Sequence, residues 1–412
     1  WATAKLIITC REESLNNIDQ RELLFAPIDE TKGVTMSGSY LEYAIQPFSD
    51  IEITAYLRKY VIDQFPTRNQ DDDININSSS SLHYPDSLQT GGALSSWGLV
   101  HAYEEFMDLH KSREILRIPF LLSIAVDTLR DVTELGGYDK VSYLREIKSS
   151  SCNAMSEEIT EPAYFGRWFY YEAHINRLLG SAAEKEGKEI NRSELVRRLQ
   201  YHALSIDKLV VDSKDIAEKK AIEAKLDEML ISCSLITKTW YSGIKFTNRS
   251  VQEFLIAQAI VSDLDGHLSD PQNMILNQKL LEPHSQVMAF IVDAYKGAII
   301  DSQALLKLVT LTKESKLTNG TDSKEEESKG TKNKHQLSIA AANAMTILNL
   351  AKFDFQKLDL SDVSIPGAYL IFGKFEGTDF SRANLTGVNF TKAWLRDTNL
   401  TGANLTDVEF GV

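Results

Sequence analysis

The first residue with evident chemical potential is an arginine at the end of an apolar run near the start of the chain. The stretch AKLIITCR, residues 4–11, places apolar and β-branched side chains shortly before Arg11. Such a run is typical of a buried parallel strand, and α/β folds bind ligands at the carboxyl ends of these strands. Arg11 is therefore a candidate for contact with an anion.

No phosphate-binding loop accompanies this arginine in the sequence. The motif G-x-x-x-x-G-K-[ST] does not occur, and the nearest candidate, GAYLIFGK at 367–374, has the wrong spacing and is followed by Phe375. No apolar strand ending in an acidic pair precedes Arg11. Because phosphoryl transfer depends on the electrostatic stabilisation that these groups supply, we expect no ATP hydrolysis by this chain.

The sequence also lacks the arrangements of other catalytic or metal sites. Its histidines do not accompany a G-x-S-x-G motif, and its three cysteines form no CxxC pair. The cysteines are widely separated, at Cys10, Cys152 and Cys233, which favours free thiols in a reducing compartment. We predict no catalytic residue, no metal site and a cytoplasmic location.

The overall charge bears on the classes of partner. The 412 residues carry a formal net charge of -14, which argues against a general nucleic-acid or acidic-membrane binder. The longest apolar run, residues 118–126, is far shorter than the ~20 residues that span a bilayer. Trp1 stands where Met would begin a complete protein, so the sequence is expected to be part of a longer chain.

The last quarter of the chain has an apolar repeat of five residues. Starting at Phe355, every fifth residue is Leu, Ile or Phe: Phe355, Leu360, Ile365, Leu370, Phe375, Phe380, Leu385, Phe390, Leu395, Leu400, Leu405 and Phe410. The residue two places earlier is mostly small or compact. Period five matches neither a helix nor a flat strand, and it predicts a solenoid that turns a corner at every repeat.

This region resembles the pentapeptide-repeat family, which implies a right-handed quadrilateral β-helix with four repeats per coil and about three coils here. From Ala351 to Val412 there are eight acids and six bases, so the acidic rod of a DNA mimic is not expected. We expect the solenoid to be a spacer or scaffold that contacts partner proteins.

The body that precedes the repeats is predicted to be helical. Helical periodicity covers residues 48–65, 97–109, 113–129, 161–179 and 192–210. Pro119 falls in the first turn of the third of these helices. An aromatic cluster, Phe165, Trp168, Phe169, Tyr170 and Tyr171, is interpreted as packed core rather than as a cofactor site.

A helix, two β-rich runs and a second helix follow, and this order predicts a winged helix. The runs are SLITKTW and IKFTN, with the final helix at 249–264. That helix is apolar and carries no Lys or Arg between Arg249 and Lys279. A DNA-recognition helix needs cations and polar side chains, so we expect this helix to pack inside the protein instead.

Four segments taken in order, KLIITCR, QPFSDIEITAYLRKYV, LRIPFLLSIAVDTL and IKFTNRSVQEFLIAQAI, resemble the C-terminal half of a NACHT module. NACHT modules are STAND-class signal-transducing NTPases related to NOD-like receptors. The later helix and repeats are similar to fungal NACHT proteins in which a WD-repeat propeller follows. The fold class implied is mainly α, with the remnant of an α/β nucleotide domain, a helical domain, a winged helix and the C-terminal β-helix.

The resemblance implies three nucleotide-binding residues. Arg11 matches the sensor arginine that faces the γ-phosphate, and Pro119 matches a proline near the adenine. Asn248 takes the place of a histidine at the β-phosphate, and it can donate a hydrogen bond but cannot carry charge. ATP or ADP with Mg²⁺ is expected only in the full-length parent, and no tight binding is expected to this chain.

Two functions remain open at this point. The chain is either the regulatory part of a nucleotide-dependent switch that can assemble into homo-oligomers, or a protein-interaction scaffold without nucleotide dependence. The expected segments are a nucleotide-domain remnant (1–48), a helical domain with a disordered loop at 69–96 (49–138), a winged-helix region (139–265), a helical segment (266–311), a disordered linker (312–336), and a capping helix with the repeats (337–412).

Overall fold

The computed structural model describes part of the chain, and every structural statement below concerns that part: residues 28–29, 34–35, 46–64, 100, 104, 107–108, 112–134, 166–186, 192–207, 235–239, 243–267, 274–314 and 324–411. The chain divides into two units, Trp1–Phe48 and Ser49–Val412. In the first unit, β1 (Ile28–Asp29) pairs antiparallel with β2 (Val34–Thr35). Arg11 and the loop at 69–96 lie outside the described residues.

The second unit begins with helices. They are α1 (Asp50–Gln64), α2 (Arg113–Leu116), α3 (Pro119–Glu134), α4 (Arg167–Glu186) and α5 (Arg192–Ile206). The single helix expected over 113–129 is wrong, because the structure divides it at Arg117 and Ile118. Pro119 lacks an N–H and its ring disfavours helical backbone just before it, so a new helix starts at the proline.

The aromatic cluster is packed core, as predicted, at its four described members. Trp168, Phe169, Tyr170 and Tyr171 are all buried in α4. The Tyr171 ring stacks on Phe254 at 5.5 Å between ring centroids and meets Phe290 edge-on at 4.8 Å. Aromatic pairs at these separations contribute about 0.5–1.5 kcal/mol beyond their burial, so the cluster stabilises the junction of three helices.

The predicted hairpin is confirmed. Strands β3 (Ile236–Thr239) and β4 (Gly243–Phe246) pair antiparallel, with Ile236 opposite Phe246. The helix expected before the hairpin falls on residues that the structure does not describe. The next helix, α6 (Arg249–His267), buries an apolar surface against α5 and the following helix, as expected for a helix that packs inside the protein.

The remaining helices lead to the repeats. After a short 3-10 turn (Ile275–Asn277), the chain forms α7 (Gln286–Lys296), α8 (Ser302–Glu314) and α9 (Lys324–Leu350). Helices α8 and α9 enter both ends of the expected linker, at 312–314 and 324–336. Lys and Glu are good helix formers, so a charged run next to a buried helix extends it. None of the described helices is long and apolar enough to cross a membrane.

Residues 352–411 form stacked coils instead of extended strands. Single parallel β-bridges join residues twenty apart, from Asp359 with Asp379 to Asn389 with Glu409. Eight of the twelve five-residue positions, from Phe355 to Phe390, are fully buried, which confirms the inward direction predicted for them. Leu405 and Phe410 in the last coil are partly exposed. Four repeats therefore make one coil, and the core is deepest next to α9.

Candidate interaction face of the repeat stack

Every repeat uses the same local backbone. The inward Leu, Ile or Phe is the central residue, and the residue before it is the ladder residue, which forms the bridge to the next coil. The residue two places after the central one is the corner residue, with φ between 55° and 73° at positions such as Asp397 and Gly367. Gly, Asn and Asp tolerate this left-handed conformation best.

Most ladder residues are Asn or Asp, for a local reason. Their side-chain oxygen accepts a hydrogen bond from the backbone N–H two residues later, at 2.7 to 3.4 Å between N and O. This Asx turn stabilises the corner. It forms at Asp354, Asp359, Asp379, Asn384, Asn389, Asn399 and Asn404.

Two departures from this rule are explained by contact with the helical body. Ser364 accepts a hydrogen bond from Ser338 of α9 at 2.8 Å between their Oγ atoms. Tyr369 has its hydroxyl 3.2 Å from His284 Nε2, and its backbone N–H donates to Thr346 of α9. These ladder positions serve the junction between the body and the stack.

A third departure, at Glu409, is explained within the stack, since its carboxylate accepts a hydrogen bond from Asn389 Nδ2. The other two are Lys374 and Trp394, which cannot form an Asx turn. They bridge each other on adjacent coils, and both are exposed. Among the described residues, no hydrogen bond joins either side chain to the helical body, so their departure has no structural explanation there.

Lys374 and Trp394 lie on a side of the stack whose outward side chains differ from those of the other three sides. We define the Lys374–Trp394 face as residues 352–357, 372–377 and 392–397, one above the other in successive coils. The ladder residues of the other three sides are mainly small and polar. This face instead presents Phe372 and Trp394, which are 57% and 67% exposed. Phe372 is a corner residue with φ 59°, a conformation that costs a bulky side chain about 1–2 kcal/mol.

Basic residues are also concentrated on this face. Residues 351–412 contain six bases, and all except Arg382 lie on it: Lys352, Lys357, Lys374, Lys392 and Arg396. Only three of the eight acids accompany them: Asp354, Glu376 and Asp397. The face therefore has an excess of positive charge, although the chain as a whole has a net charge of -14. Sequence reasoning missed this face because the five-residue apolar pattern describes the inward positions and not the outward ones.

The structure describes two of the three predicted nucleotide-binding residues. Arg11 lies outside the described residues. Pro119 is the exposed first residue of α3, where its missing N–H costs nothing. Asn248 precedes α6, and its Oδ1 accepts hydrogen bonds from Ser250 N and Oγ at 2.8 and 2.5 Å. Their roles toward a nucleotide stay predictions.

Asn248 is the N-cap of α6, which gives a first testable consequence. Asn248→Ala removes the acceptor for the Ser250 N–H, so it is expected to lower the free energy of unfolding by about 1 kcal/mol. Asn248→Ser keeps a capping oxygen and is expected to stay within about 0.5 kcal/mol of the original chain. Urea denaturation measures both. Equal losses in the two variants would contradict the capping role.

Two other kinds of site gain no support. Within the described ranges, no group of three or more His, Cys, Asp or Glu residues could hold a metal ion. A pocket of about 200 Å³ lies between the 280–283 segment, α9 and the stack, and Tyr369 and Asn389 line its far wall. Its walls are the two surfaces of the body–stack junction, so we assign it to packing.

The acidic ladder residue Asp359 gives a second prediction. Hydrogen bonds from the Ser361 hydroxyl and backbone N–H, followed by Lys313, lower the pKa of Asp359 to about 2 from 3.8. A carboxyl whose folded pKa is depressed stabilises the fold above its unfolded pKa, and this contribution is lost as pH falls through the folded pKa.

We expect Asp359→Asn to remove part of the fall in melting temperature between about pH 4 and about pH 2. The Asp359 side chain is 71% exposed, so solvent screening limits the effect to about 0.5 kcal/mol. Asp407→Asn removes the same charge at an exposed corner and serves as the control. An unchanged pH profile for Asp359→Asn would show that the carboxylate contributes nothing.

The comparison with known families agrees with the geometry of the stack. Residues 366–402 and 383–411 match the family model for pentapeptide repeats, with eight copies. No match to a NACHT or WD-repeat family accompanies it. No curated protein and no solved structure is detectably similar to this chain. The repeats near the C-terminus are thus pentapeptide repeats, a type of module that commonly contacts other proteins.

Proposed function

We propose that this chain is a non-enzymatic protein-interaction scaffold, in which the helical body caps the repeats and presents the Lys374–Trp394 face. The observation that carries the proposal is the pair Lys374 and Trp394. These positions lack the stabilising Asx turn, and no hydrogen bond from either side chain to the described helical body accounts for the difference. We also infer that the stack is the right-handed quadrilateral β-helix typical of pentapeptide repeats.

The rigidity of the stack supports a binding role. The rings of Phe355, Phe375 and Phe390 pack together inside it, and the backbone N–H of Phe375 donates to the Trp394 carbonyl of the next coil at 2.9 Å. The backbone positions from which the outward side chains extend are therefore fixed before a partner arrives. Less conformational entropy is then lost on binding, which favours affinity.

The nucleotide-dependent switch, with its homo-oligomeric active form, rests on the resemblance to NACHT modules. No family match supports it, and the N-cap geometry accounts for Asn248 without a nucleotide. It stays a prediction with its own test, which is ATP and ADP binding by the longest natural form of the protein. If the protein binds a nucleotide and Arg11→Ala abolishes that binding, the switch function is supported. If the protein binds neither ATP nor ADP, the switch function is rejected.

Site-specific photocrosslinking tests the scaffold function. A benzophenone amino acid is placed at position 394 on the Lys374–Trp394 face or at position 404 on another side of the stack, and each chain without irradiation is the control. We expect defined adducts with partner proteins in extracts of the source cells from an exposed position after irradiation, and none without it. Adducts from neither exposed position would reject the function.

A further inference from the structure

The residues of the Lys374–Trp394 face combine exposed rings with cations. Lys392 Nζ lies 5.3 Å from the centroid of the Phe372 ring, and Lys374 bridges Trp394 on the adjacent coil. Trp, Phe, Lys and Arg side chains therefore lie within two neighbouring coils. A partner that covers this face must pack against two rings and compensate a surplus of positive charge.

We propose that the Lys374–Trp394 face binds a short acidic segment of a partner protein that also carries a bulky apolar side chain. This inference rests on the scaffold function proposed above and names the class of partner. Carboxylates of the segment pair with Lys374 and Lys392, and its apolar side chain packs on Trp394. The acidic remainder of the chain repels such a segment, which directs it to this face.

The size of the face sets the length of the segment. Neighbouring coils are about 4.8 Å apart, so three of them span roughly 10 Å along the stack, and one repeat spans a similar width. An extended peptide advances about 3.3 Å per residue. About four to six residues of the partner therefore contact the face, which is the size of a linear motif.

Single-stranded nucleic acid is the competing ligand, because exposed rings also stack on bases. Asp354, Glu376 and Asp397 lie among the cations, and the Glu376 carboxylate is 3.9 Å from Arg396 Nε. A regular phosphate backbone would meet these carboxylates, whereas a peptide can place its acids beside Lys374 and Lys392 only. The interspersed charges favour the peptide.

The backbone geometry provides variants that separate binding from folding. Trp394→Asn introduces the residue type that forms an Asx turn at other ladder positions. Phe372→Gly relieves the backbone strain of a bulky residue in the left-handed conformation. Both substitutions are expected to leave the melting temperature unchanged or to raise it. If the two rings bind a partner, both variants also lose affinity, and a purely structural role does not produce this combination.

Fluorescence anisotropy with the full chain is the test. The probe is a fluorescein-labelled short peptide of alternating Glu and Leu, with a Lys and Leu peptide and a labelled oligothymidylate as comparison ligands. We expect binding of the acidic peptide that weakens with added salt, and a loss of about tenfold in affinity in Trp394→Asn and in Phe372→Gly. Lys374→Glu is expected to weaken binding similarly, and Arg382→Glu, with the same charge change on another side, by less than about twofold.

Four results would overturn the proposal: no binding of the acidic peptide, equal or tighter binding of the Lys and Leu peptide, tighter binding of the oligothymidylate, or equal losses in Lys374→Glu and Arg382→Glu. Failure of the scaffold function gives a different pattern. If adducts form through position 404 but the acidic peptide does not bind, the scaffold function stands and the inference about the acidic segment is rejected. The absence of adducts at every exposed position removes both.

Discussion

Replacing Phe375 by alanine is expected to lower the free energy of unfolding by about 3–5 kcal/mol, a large part of the stability of an ordinary domain. The Phe375 side chain is fully buried, and its ring stacks on Phe355 at 4.8 Å between centroids. It also meets Phe380 and Phe390, at 5.6 and 5.5 Å. The coils keep their spacing through backbone hydrogen bonds, so they cannot close the cavity left by the ring.

Phe410→Ala is the matched control for this variant. Phe410 is also a central residue and stacks on Phe390 at 6.1 Å, but its side chain is 46% exposed. Its loss is expected to cost about 1 kcal/mol, because much less apolar surface returns to water. Urea denaturation followed by circular dichroism compares the two variants. Equal losses would mean that the stack does not unfold as one cooperative core.

The repeat stack is the part of the fold that the sequence predicts best. A solenoid brings residues a fixed number apart into contact, so an apolar period in the sequence directly gives the inward positions. The candidate face needs a second period. Four repeats per coil place Lys374 and Trp394 in one column, but the apolar period describes only the inward residues and does not show that these outward ones depart from Asn or Asp.

Helix boundaries in the body were harder to predict from apolar periodicity alone. Apolar periodicity runs through residues 113–129, and it does not show that the backbone breaks before Pro119. The helical start of the 324–336 segment has a different cause, because the buried half of α9 extends into a charged run without an apolar pattern. In that second case, packing of the buried half decides where the helix begins.

Asn248 shows how local chemistry and resemblance can lead to different readings of one residue. The resemblance points to a β-phosphate contact, whereas the side chain caps α6 in the structure. The cap could have been inferred from Asn followed by an apolar helical pattern. A capping oxygen can be replaced by Ser or Asp, which makes the capping role testable without a nucleotide.

One buried side chain, Asn343 of α9, joins two parts of the helical body, α9 and the 274–281 segment. Its Oδ1 accepts a hydrogen bond from Leu281 N at 2.9 Å, and its Nδ2 donates to the carbonyls of Leu276 and Lys279, each at 2.9 Å. Asn343→Ala leaves a buried donor and two acceptors unsatisfied. Each such group costs about 1–3 kcal/mol, so we expect a loss of about 3 kcal/mol in the free energy of unfolding.

Asn404→Ala provides the comparison, because Asn404 forms its hydrogen bonds on the exposed side of the stack, where water replaces them. Its expected cost is about 0.5–1 kcal/mol. Hydrogen exchange locates the effect: in Asn343→Ala, protection should fall in residues 274–281 and in α9 before it falls in the outer coils. A uniform fall along the stack would contradict the role of Asn343 as a local latch. The outer coils depend on their own phenylalanine core, so this variant should loosen the helical body and leave the Lys374–Trp394 face folded.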